Sequence, residues 1–368
     1  GGAYVWGRAD KLKAAVKLFG ECGIAALYPF IAATMVGNSV ATIRLMGFIP
    51  ALKGRFDQPG NNGFLPATGV RMPSYFGANL GMSDTRDFTR QLSADKFPLF
   101  AGPDAITTPY PHPRQVIDAI LTDKPYPVRA LWTDCNPVVG LEDSATTIEA
   151  LKKLDLLVVS DLFESPTAHL ADYILPVTTH LESDAITEYS GVNMIAARTR
   201  VMEPRGEARD EGDPVLEVAR RMGLANKLPV SSYRELLDYR LEPLGMTFDE
   251  FSAASVFERP NEPKKHEKGK IRRDGKPGFN TPSGKIEFAS EKLAAFGYEP
   301  LPDFVEPPDS PVSAPELADD YPLVMISGTR SIEYYSTMGI EISRLRKLRP
   351  WPSLEMAPEL AASLGLAE

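Results

Sequence analysis

Apolar residues in the middle of the chain form short runs separated by a segment with helical spacing. They dominate residues 128–133, 156–159 and 173–175, and each run has the length of a buried strand. Within residues 144–154 the apolar positions recur on one helix face instead. Strand, helix and strand in this order, followed by a short helix and a third strand, predict an α/β fold with a doubly wound, mostly parallel sheet.

Additional helical segments are predicted on both sides of this unit. Asp10 can cap a helix that Gly20 ends, and residues 39–52 have the same helical pattern. Further along, Asp213 and Pro214 are typical of a helix start, and Gly223 of its end. A new apolar strand is predicted over residues 323–326.

Connecting segments divide the chain into regions. Residues 57–115 are rich in Gly, Pro and Asn, which predicts long loops with short helices. Residues 299–322 form a Pro-rich linker with seven prolines, so we place a domain boundary there. Residues 259–276 contain eight Lys or Arg, and this composition is typical of a solvated surface loop.

Composition excludes several functional classes. The 368 residues include 43% hydrophobic ones and have a formal net charge of −9, which indicates a globular protein without the basic surface that nucleic acid binding needs. The two cysteines, Cys22 and Cys135, are too few for an iron–sulfur cluster or a structural zinc site. The longest apolar stretch is too short to cross a bilayer, so we expect no membrane span.

Polar residues follow each predicted strand. Asp134 and Asn136 come after the first strand, Asp161 ends the second, and Thr178 and Glu182 follow the third. Ligands of open parallel sheets bind at the carboxyl ends of the strands, and an Asp there suits ribose hydroxyls. The loops lack GxGxxG, which weakens the interpretation as an ordinary NAD dehydrogenase.

Each of these residues also has a purely structural explanation. Asn136 with Pro137 can form an ordinary turn, Asp161 can cap the next helix, and Glu182 can pair with an arginine. Asp213 can be a helix N-cap, or its carboxylate can accept both donors of a guanine edge. The histidines have no partner at metal-ligand spacing, and no catalytic residue or metal ligand can be identified.

Several motifs occur in an order that resembles one enzyme family. They are Ala-Leu-Trp-Thr-Asp-Cys-Asn-Pro at 130–137, Leu-Val-Val-Ser-Asp-Leu-Phe-Glu-Ser-Pro-Thr-Ala at 157–168, Ala-Asp-Tyr-Ile-Leu-Pro at 171–176, Gly-Glu-Ala-Arg at 206–209, Thr-Pro-Ser-Gly-Lys-Ile-Glu at 281–287 and Gly-Thr-Arg at 328–330. Residues 52–62 add a further match upstream. Together these motifs closely resemble the molybdopterin oxidoreductases, the relatives of dimethyl sulfoxide reductase and formate dehydrogenase.

The resemblance implies two molybdopterin guanine dinucleotides that hold one molybdenum or tungsten ion, with oxo or two-electron transfer in bacterial anaerobic metabolism. By position, Asn136 and Asp161 would contact the guanosine, and Thr178 and Glu182 would line the same crevice. Asp213 would bind the guanine edge. The resemblance places the pterin or its phosphate at Gly328, Thr329 and Arg330. Where relatives often have His-Ser, this chain has Tyr335-Ser336.

The resemblance also implies a domain organisation. Residues 1–62 would be the helical end of a preceding α/β domain, 63–200 the guanosine-binding α/β domain, 201–298 a helical and small-strand region, and 299–322 the linker. Residues 323–368 would be the truncated start of the C-terminal pterin dinucleotide-binding domain, which is β-barrel-like in this family. Counterparts of the family's metal ligand and cluster cysteines are absent from this sequence. We therefore expect an internal fragment of a catalytic subunit, inactive alone, whose iron–sulfur cluster, if present, lies in a missing N-terminal part.

Partners implied by the family are a small-molecule substrate, an iron–sulfur electron-transfer subunit and a membrane anchor subunit, on the periplasmic or cytoplasmic side of a bacterial membrane. The substrate itself cannot be read from the sequence. One alternative is a metal-free structural relative, like the large subunit of respiratory complex I. A second alternative is a nucleotide-binding enzyme with an unusual phosphate loop.

Overall fold

The computed structural model describes most of the chain. The described residues are 9–27, 31–63, 65–66, 68–71, 90–103, 105, 110–188, 193–325, 331–334, 339–351 and 353–367. The chain divides into two compact units, Gly1–Val305 and Glu306–Glu368. The division falls inside the Pro-rich segment 299–322.

A parallel sheet is the centre of the first unit. Its strands are β1 (Ala130–Thr133), β2 (Leu156–Asp161) and β3 (Tyr173–Pro176), in the order β1-β2-β3. The register pairs Thr133 with Val159 and Asp161 with Pro176, so the three strands end at one edge of the sheet. This sheet and its helices confirm the predicted α/β class.

Seven of the described helices precede or connect these strands. They are α1 (Ala9–Glu21), α2 (Ile31–Thr34), α3 (Ser39–Leu52), α4 (Pro98–Ala101), α5 (Pro113–Thr122), α6 (Pro137–Gly140) and α7 (Ser144–Lys153). Helices α1 and α3 match the helices predicted over 10–20 and 39–52. On α7, Leu151 packs against Leu157 and Val159 of β2, and burial of each such side chain contributes about 1.5–3 kcal/mol.

A second, antiparallel sheet follows in the chain. Strands β4 (Ala185–Glu188), β5 (Met194–Arg198) and β6 (Val256–Glu258) lie in that order. Helices α8 (Gly212–Arg221), α9 (Tyr233–Leu241) and α10 (Phe248–Ala254) come between β5 and β6. The core of this region consists of buried apolar side chains from both sheet and helices: Val70, Ile186, Ile195, Leu237, Leu241, Phe248 and Phe251.

The remaining described elements are short. Three 3-10 turns cover Ala168–Leu170, Ala225–Lys227 and Glu242–Leu244. The last helix of the first unit is α11 (Glu291–Ala295). The second unit contains α12 (Leu317–Asp320), α13 (Ser343–Leu348) and α14 (Pro358–Ser363).

The strand predicted over residues 323–326 is not formed by its described part. Residues 323–325 have no strand pairing, and their side chains are exposed. An isolated apolar run without a partner strand cannot satisfy its backbone groups as a strand, so the sequence pattern alone was insufficient here. Ile326 lies outside the described residues.

The basic segment 259–276 is only partly a solvated loop. Lys265 is buried, and its Nζ lies 2.5 Å from Oδ1 of the buried Asp57. The Lys265 amide also donates to Asp57 Oδ2 at 2.6 Å. We call this ion pair the Asp57–Lys265 clasp, and it joins segments 208 residues apart in the sequence.

Candidate functional site

The carboxyl ends of the parallel strands bring polar groups to one edge. A further segment extends that edge, because Arg209 donates its amide to Pro176 O at 3.1 Å and the Thr178 amide donates to Arg209 O at 3.1 Å. Residues 209–213 are thereby placed beside the strand ends. We call the group formed by Asp134, Asn136, Asp161, Thr178, Asp210 and Glu211 the strand-end cluster.

Asn136 has a fixed side chain. It directly precedes α6, and its Oδ1 accepts a hydrogen bond from the Thr167 hydroxyl at 2.6 Å. Thr167 is fully buried, and its hydroxyl oxygen accepts from the Val138 amide at 3.2 Å. Because the oxygen of the amide faces the protein, its NH₂ group remains available as a donor.

Asp161 is the last residue of β2 and keeps one oxygen free. Its Oδ1 accepts from the next backbone amide, that of Leu162, at 2.7 Å. Its Oδ2 has no hydrogen bond to any of the described residues. The side chain therefore orders its own loop and does not cap the following helix.

Thr178 and Asp210 are bonded to each other. The Thr178 hydroxyl donates to Asp210 Oδ1 at 3.0 Å. Burial raises the pKa of Asp210, and the nearby carboxylates of Asp213 and Asp184 raise it further, while the Thr178 bond and Arg198 oppose the change. Asp210 is one of the site residues that sequence reasoning missed.

Glu182 braces the loop after β3. Its Oε2 accepts from the amide and the hydroxyl of Thr179, both at 2.9 Å, and its Oε1 accepts from the Arg205 amide at 3.0 Å. These bonds, led by the one from the Thr179 amide, lower the pKa of the Glu182 carboxyl. Glu182 is buried, and both of its oxygens bind the chain itself, so the geometry favours a bracing position over a ligand contact.

Asp213 caps a helix, but not the helix that the sequence indicated. It lies in the first turn of α8, and its Oδ1 accepts from the Tyr233 amide at the start of α9, at 2.8 Å. The residue that precedes α8 is Glu211, whose side chain makes no capping bond. The expected guanine-edge position of Asp213 stays a prediction, and Glu211 is the carboxylate that approaches the strand ends.

Glu211 was not anticipated, since it is one of several acids in the exposed-looking run 207–213 and no spacing distinguishes it. Burial, which removes water from around the carboxyl, is the main cause that raises the pKa of Glu211. The nearby carboxylates of Asp134 and Asp161 raise it further. The Cys135 thiol has its pKa raised to about 11, by burial first and then by Asp134. The carboxylates at the ends of β1 and β2 are thus within electrostatic reach of Glu211, which directly precedes α8.

The structure places the predicted site residues in three groups. Asn136, Asp161 and Thr178 share the strand-end cluster, whereas Glu182 and Asp213 lie beside it. Both oxygens of Glu182 and Oδ1 of Asp213 are bonded to the chain. Gly328, Thr329 and Arg330 lie outside the described residues, as do Tyr335 and Ser336. In the described part of the chain, no group of three or more His, Cys, Asp or Glu side chains could hold a metal ion.

The chemistry of the strand-end cluster fits the nucleoside end of a dinucleotide. Carboxylate oxygens accept from ribose hydroxyls and from the N1–H and N2–H groups of guanine. The same like-charged group repels phosphate, so the diphosphate of a bound dinucleotide has to lie away from the cluster. The residues that the sheet aligns therefore fit a purine nucleoside that carries hydrogen-bond donors.

Comparison with known proteins supplies the family. A family model described as molybdopterin oxidoreductase matches residues 38–221, which is half of the chain. This chain belongs to the molybdopterin oxidoreductase family. Members of this enzyme family carry a molybdenum or tungsten ion on a pterin cofactor.

Individual relatives agree with this assignment. Acetylene hydratase of Syntrophotalea acetylenica is 34% identical over 257 residues, which cover 69% of this chain and 34% of the relative. Trimethylamine-N-oxide reductase of Haemophilus influenzae is 28% identical over 292 residues, 73% of this chain and 34% of the reductase. The solved acetylene hydratase from Pelobacter acetylenicus superposes with a TM-score of 0.85 and 28% identity, covering 98% of this chain and 51% of that structure.

The chain spans about a third of these curated relatives and about half of the solved structure. None of the helices in the described ranges has the length and apolarity that a bilayer span requires.

Proposed function

We propose that this chain holds the guanosine end of a pterin guanine dinucleotide in a molybdenum or tungsten enzyme. The observation that carries the proposal is the strand-end cluster, in which carboxylates from separate loops are aligned and keep oxygens free. Leaving such a set of desolvated acceptors without hydrogen-bond donors is costly, and the donors of a ligand would satisfy them. A guanine nucleoside offers donors on both its base and its sugar.

Each residue of the cluster then has a separate task. The free oxygen of Asp161 accepts from ribose hydroxyls, and Asn136 donates its NH₂ to an acceptor of the nucleoside. Glu211 accepts from the guanine edge. Asp213, two residues further along the chain, is the alternative carboxylate. Thr178 holds Asp210 by a hydrogen bond, and Glu182 braces the loop after β3 that contains Thr178.

The complete cofactor is proposed to be two molybdopterin guanine dinucleotides on one metal ion. Gly328, Thr329 and Arg330 are proposed to contact a pterin or its phosphate, as part of the domain over residues 323–368. When bound, the metal and pterins supply oxo or two-electron transfer, in anaerobic metabolism. The chain's own residues bind and orient the cofactor.

A second candidate reaction is the addition of water to a small unsaturated substrate. It is favoured by the identity of 34% to a protein named acetylene hydratase, against 28% to the reductase. Such a reaction has no net electron transfer and needs no electron-transfer partner.

A redox reaction needs an electron route that this chain does not supply. Its two cysteines, Cys22 and Cys135, cannot form a cluster site. We therefore propose an iron–sulfur electron-transfer subunit, with a membrane anchor subunit, as partners of the redox version of the enzyme. A small molecule is the proposed substrate in either version.

The test is analysis of the whole natural protein purified under anaerobic conditions. We expect molybdenum or tungsten, with two equivalents of GMP per metal ion after hydrolytic release of the cofactor. A folded protein with neither metal nor GMP would contradict the proposal and support a metal-free structural relative. Oxidation of reduced viologen with N- or S-oxides or thiosulfate, against hydration of acetylene, then separates the two reactions.

A further inference from the structure

Arg198 is a half-buried cation behind the strand-end cluster. It is the last residue of β5, and its Nη2 donates to the Ser183 hydroxyl oxygen at 2.8 Å. The buried Ser183 donates in turn to Thr179 O at 3.2 Å. Arg198 thus reaches the loop after β3 through one intermediate side chain.

The guanidinium is not fully used by hydrogen bonds. Its Nε is buried and has no hydrogen-bond partner among the described residues. A donor that is buried without a hydrogen-bond partner destabilises a protein unless favourable charge interactions compensate it. The compensating charges here are acidic groups of the strand-end cluster, since Arg198 lies within electrostatic reach of both Asp210 and Glu211.

Other charged groups that face this site are almost all acidic. Asp134 and Asp161 approach from the ends of β1 and β2, and Asp184 and Asp213 approach from the loop before β4 and from α8. Tyr233 on α9 lies within reach of Arg198, Asp210 and Glu211, and Arg240 on α9 acts on Tyr233. Arg198 is therefore the cation that directly opposes the charges of Asp210 and Glu211 in the described part of this region.

We propose that Arg198 is a positioning residue. Its hydrogen bond to Ser183 holds the loop after β3, and its charge opposes the carboxylates of Asp210 and Glu211, which accept hydrogen bonds from a nucleoside. This role rests on the proposed function of the strand-end cluster. It assigns two separable contributions to one side chain, a charge and a hydrogen bond.

Two substitutions separate these contributions. Arg198→Gln removes the charge and keeps a donor for Ser183, whereas Arg198→Lys keeps the charge and loses the planar fork. The matched control is Arg221→Gln, which removes the same charge from the exposed end of α8, where Arg221 pairs with Glu217 at 2.8 Å. Ser183→Ala removes the hydrogen bond alone.

The first readout needs no ligand. The full 368-residue chain is prepared with carboxyl-labelled Glu and Asp, and the side-chain signals are followed by NMR as the pH changes. The signal of Glu211 is assigned because it disappears in Glu211→Gln, and its titration midpoint is compared among the variants. We expect Arg198→Gln to raise this midpoint by roughly one pH unit, and Arg198→Lys, Ser183→Ala and Arg221→Gln to leave it near that of the wild type. An unchanged midpoint in Arg198→Gln overturns the proposal.

The second readout is guanosine binding between pH 5 and pH 8. A purely structural loss weakens binding equally at every pH, whereas loss of the counter-charge moves the acidic limb of the binding curve to higher pH and spares affinity at the alkaline end. Wild-type chain that titrates as expected but does not bind guanosine contradicts the proposed function and leaves the electrostatic role of Arg198 standing. If Arg198→Gln does not fold at pH 8, adding Glu211→Gln should restore folding, and failure to do so contradicts the inference.

Discussion

Carboxylates serve two different purposes in two regions of this molecule. In the Asp57–Lys265 clasp, one buried carboxylate meets one buried ammonium, and both of its oxygens accept hydrogen bonds from Lys265. In the strand-end cluster, carboxylates face one another, and Asp161 keeps an oxygen free of bonds to the described residues. The carboxylate that stabilises the fold has its hydrogen bonds satisfied by the chain itself. The carboxylates at the strand ends keep acceptor capacity that a ligand could use.

The largest expected effect comes from breaking the clasp. Lys265→Met leaves the Asp57 charge buried without its partner, so we expect a loss of about 3–5 kcal/mol in the free energy of unfolding. The control is Lys268→Met, whose exposed ion pair with Glu262 should contribute at most about 1 kcal/mol. Urea denaturation measures both, and equal losses would show that burial does not distinguish the two pairs.

Asp161→Asn should act on binding instead of stability. A hydrogen bond to a charged group contributes about 1.5–3 kcal/mol, so we expect guanosine to bind roughly ten- to hundredfold more weakly. Loss of the Asp161 charge should also lower the pKa of Glu211, because Asp161 raises it in the wild type.

The matched control for Asp161 is a structural acid of the same sheet. Asp172 accepts from the Leu157 amide at 2.7 Å, at the opposite end of the strands. Asp172→Asn should destabilise the chain without weakening guanosine binding. If the two variants behave alike in both assays, the distinction between saturated and free carboxylates is wrong.

Thr167→Val tests a residue that contributes both to the stability of the fold and to the orientation of Asn136 in the strand-end cluster. The fully buried hydroxyl both donates to Asn136 and accepts from Val138, so its removal should lower the free energy of unfolding by about 1–2 kcal/mol. Because Asn136 then loses its fixed orientation, guanosine affinity should fall modestly as well. Thr122→Val, at an exposed helix end, serves as the control and should change neither quantity appreciably.

The smallest effect is expected for Glu182→Gln and depends on pH. The pKa of Glu182 is lower in the folded chain than its ordinary value of 4.5, so its stabilisation is present above that value and is lost as the pH falls through the lowered pKa. The urea midpoints of wild type and variant should therefore differ at pH 7 and converge under acidic conditions. A difference that grows on acidification would contradict the bracing role.

The fold was predictable where local patterns and long-range contacts agree. The runs at 128–133 and 156–159 contain β1 and the start of β2. Leu157 and Val159 of β2 are buried, whereas β1 is at most half-buried, and residues 144–154 contain α7 with Leu151 in the core. The antiparallel sheet was not identified from its strands, because residues 185–188, 194–198 and 256–258 are short and their pairing depends on contacts distant in sequence.

Charged residues were the harder part of the prediction. Lys265 lies in a run of basic residues whose composition indicates a solvated loop, and only its distant partner Asp57 explains its burial. Asp213 was expected to cap α8 but caps α9, since the two helix starts meet in space. The position of Asp161 and Asn136 at one edge of the sheet was predictable, because the ends of parallel strands converge and the order of strands and helices in the sequence already implies this.

The most direct test of the guanosine-binding assignment is a map of guanosine binding on the full chain by backbone amide NMR shifts. We expect saturable changes at Asp134, Cys135, Asn136, Leu162 and Thr178, with inosine, which lacks the 2-amino donor, causing smaller ones. The contradicting result is binding whose shifts cluster elsewhere, for example around α9 and α10, while the strand-end amides stay unchanged.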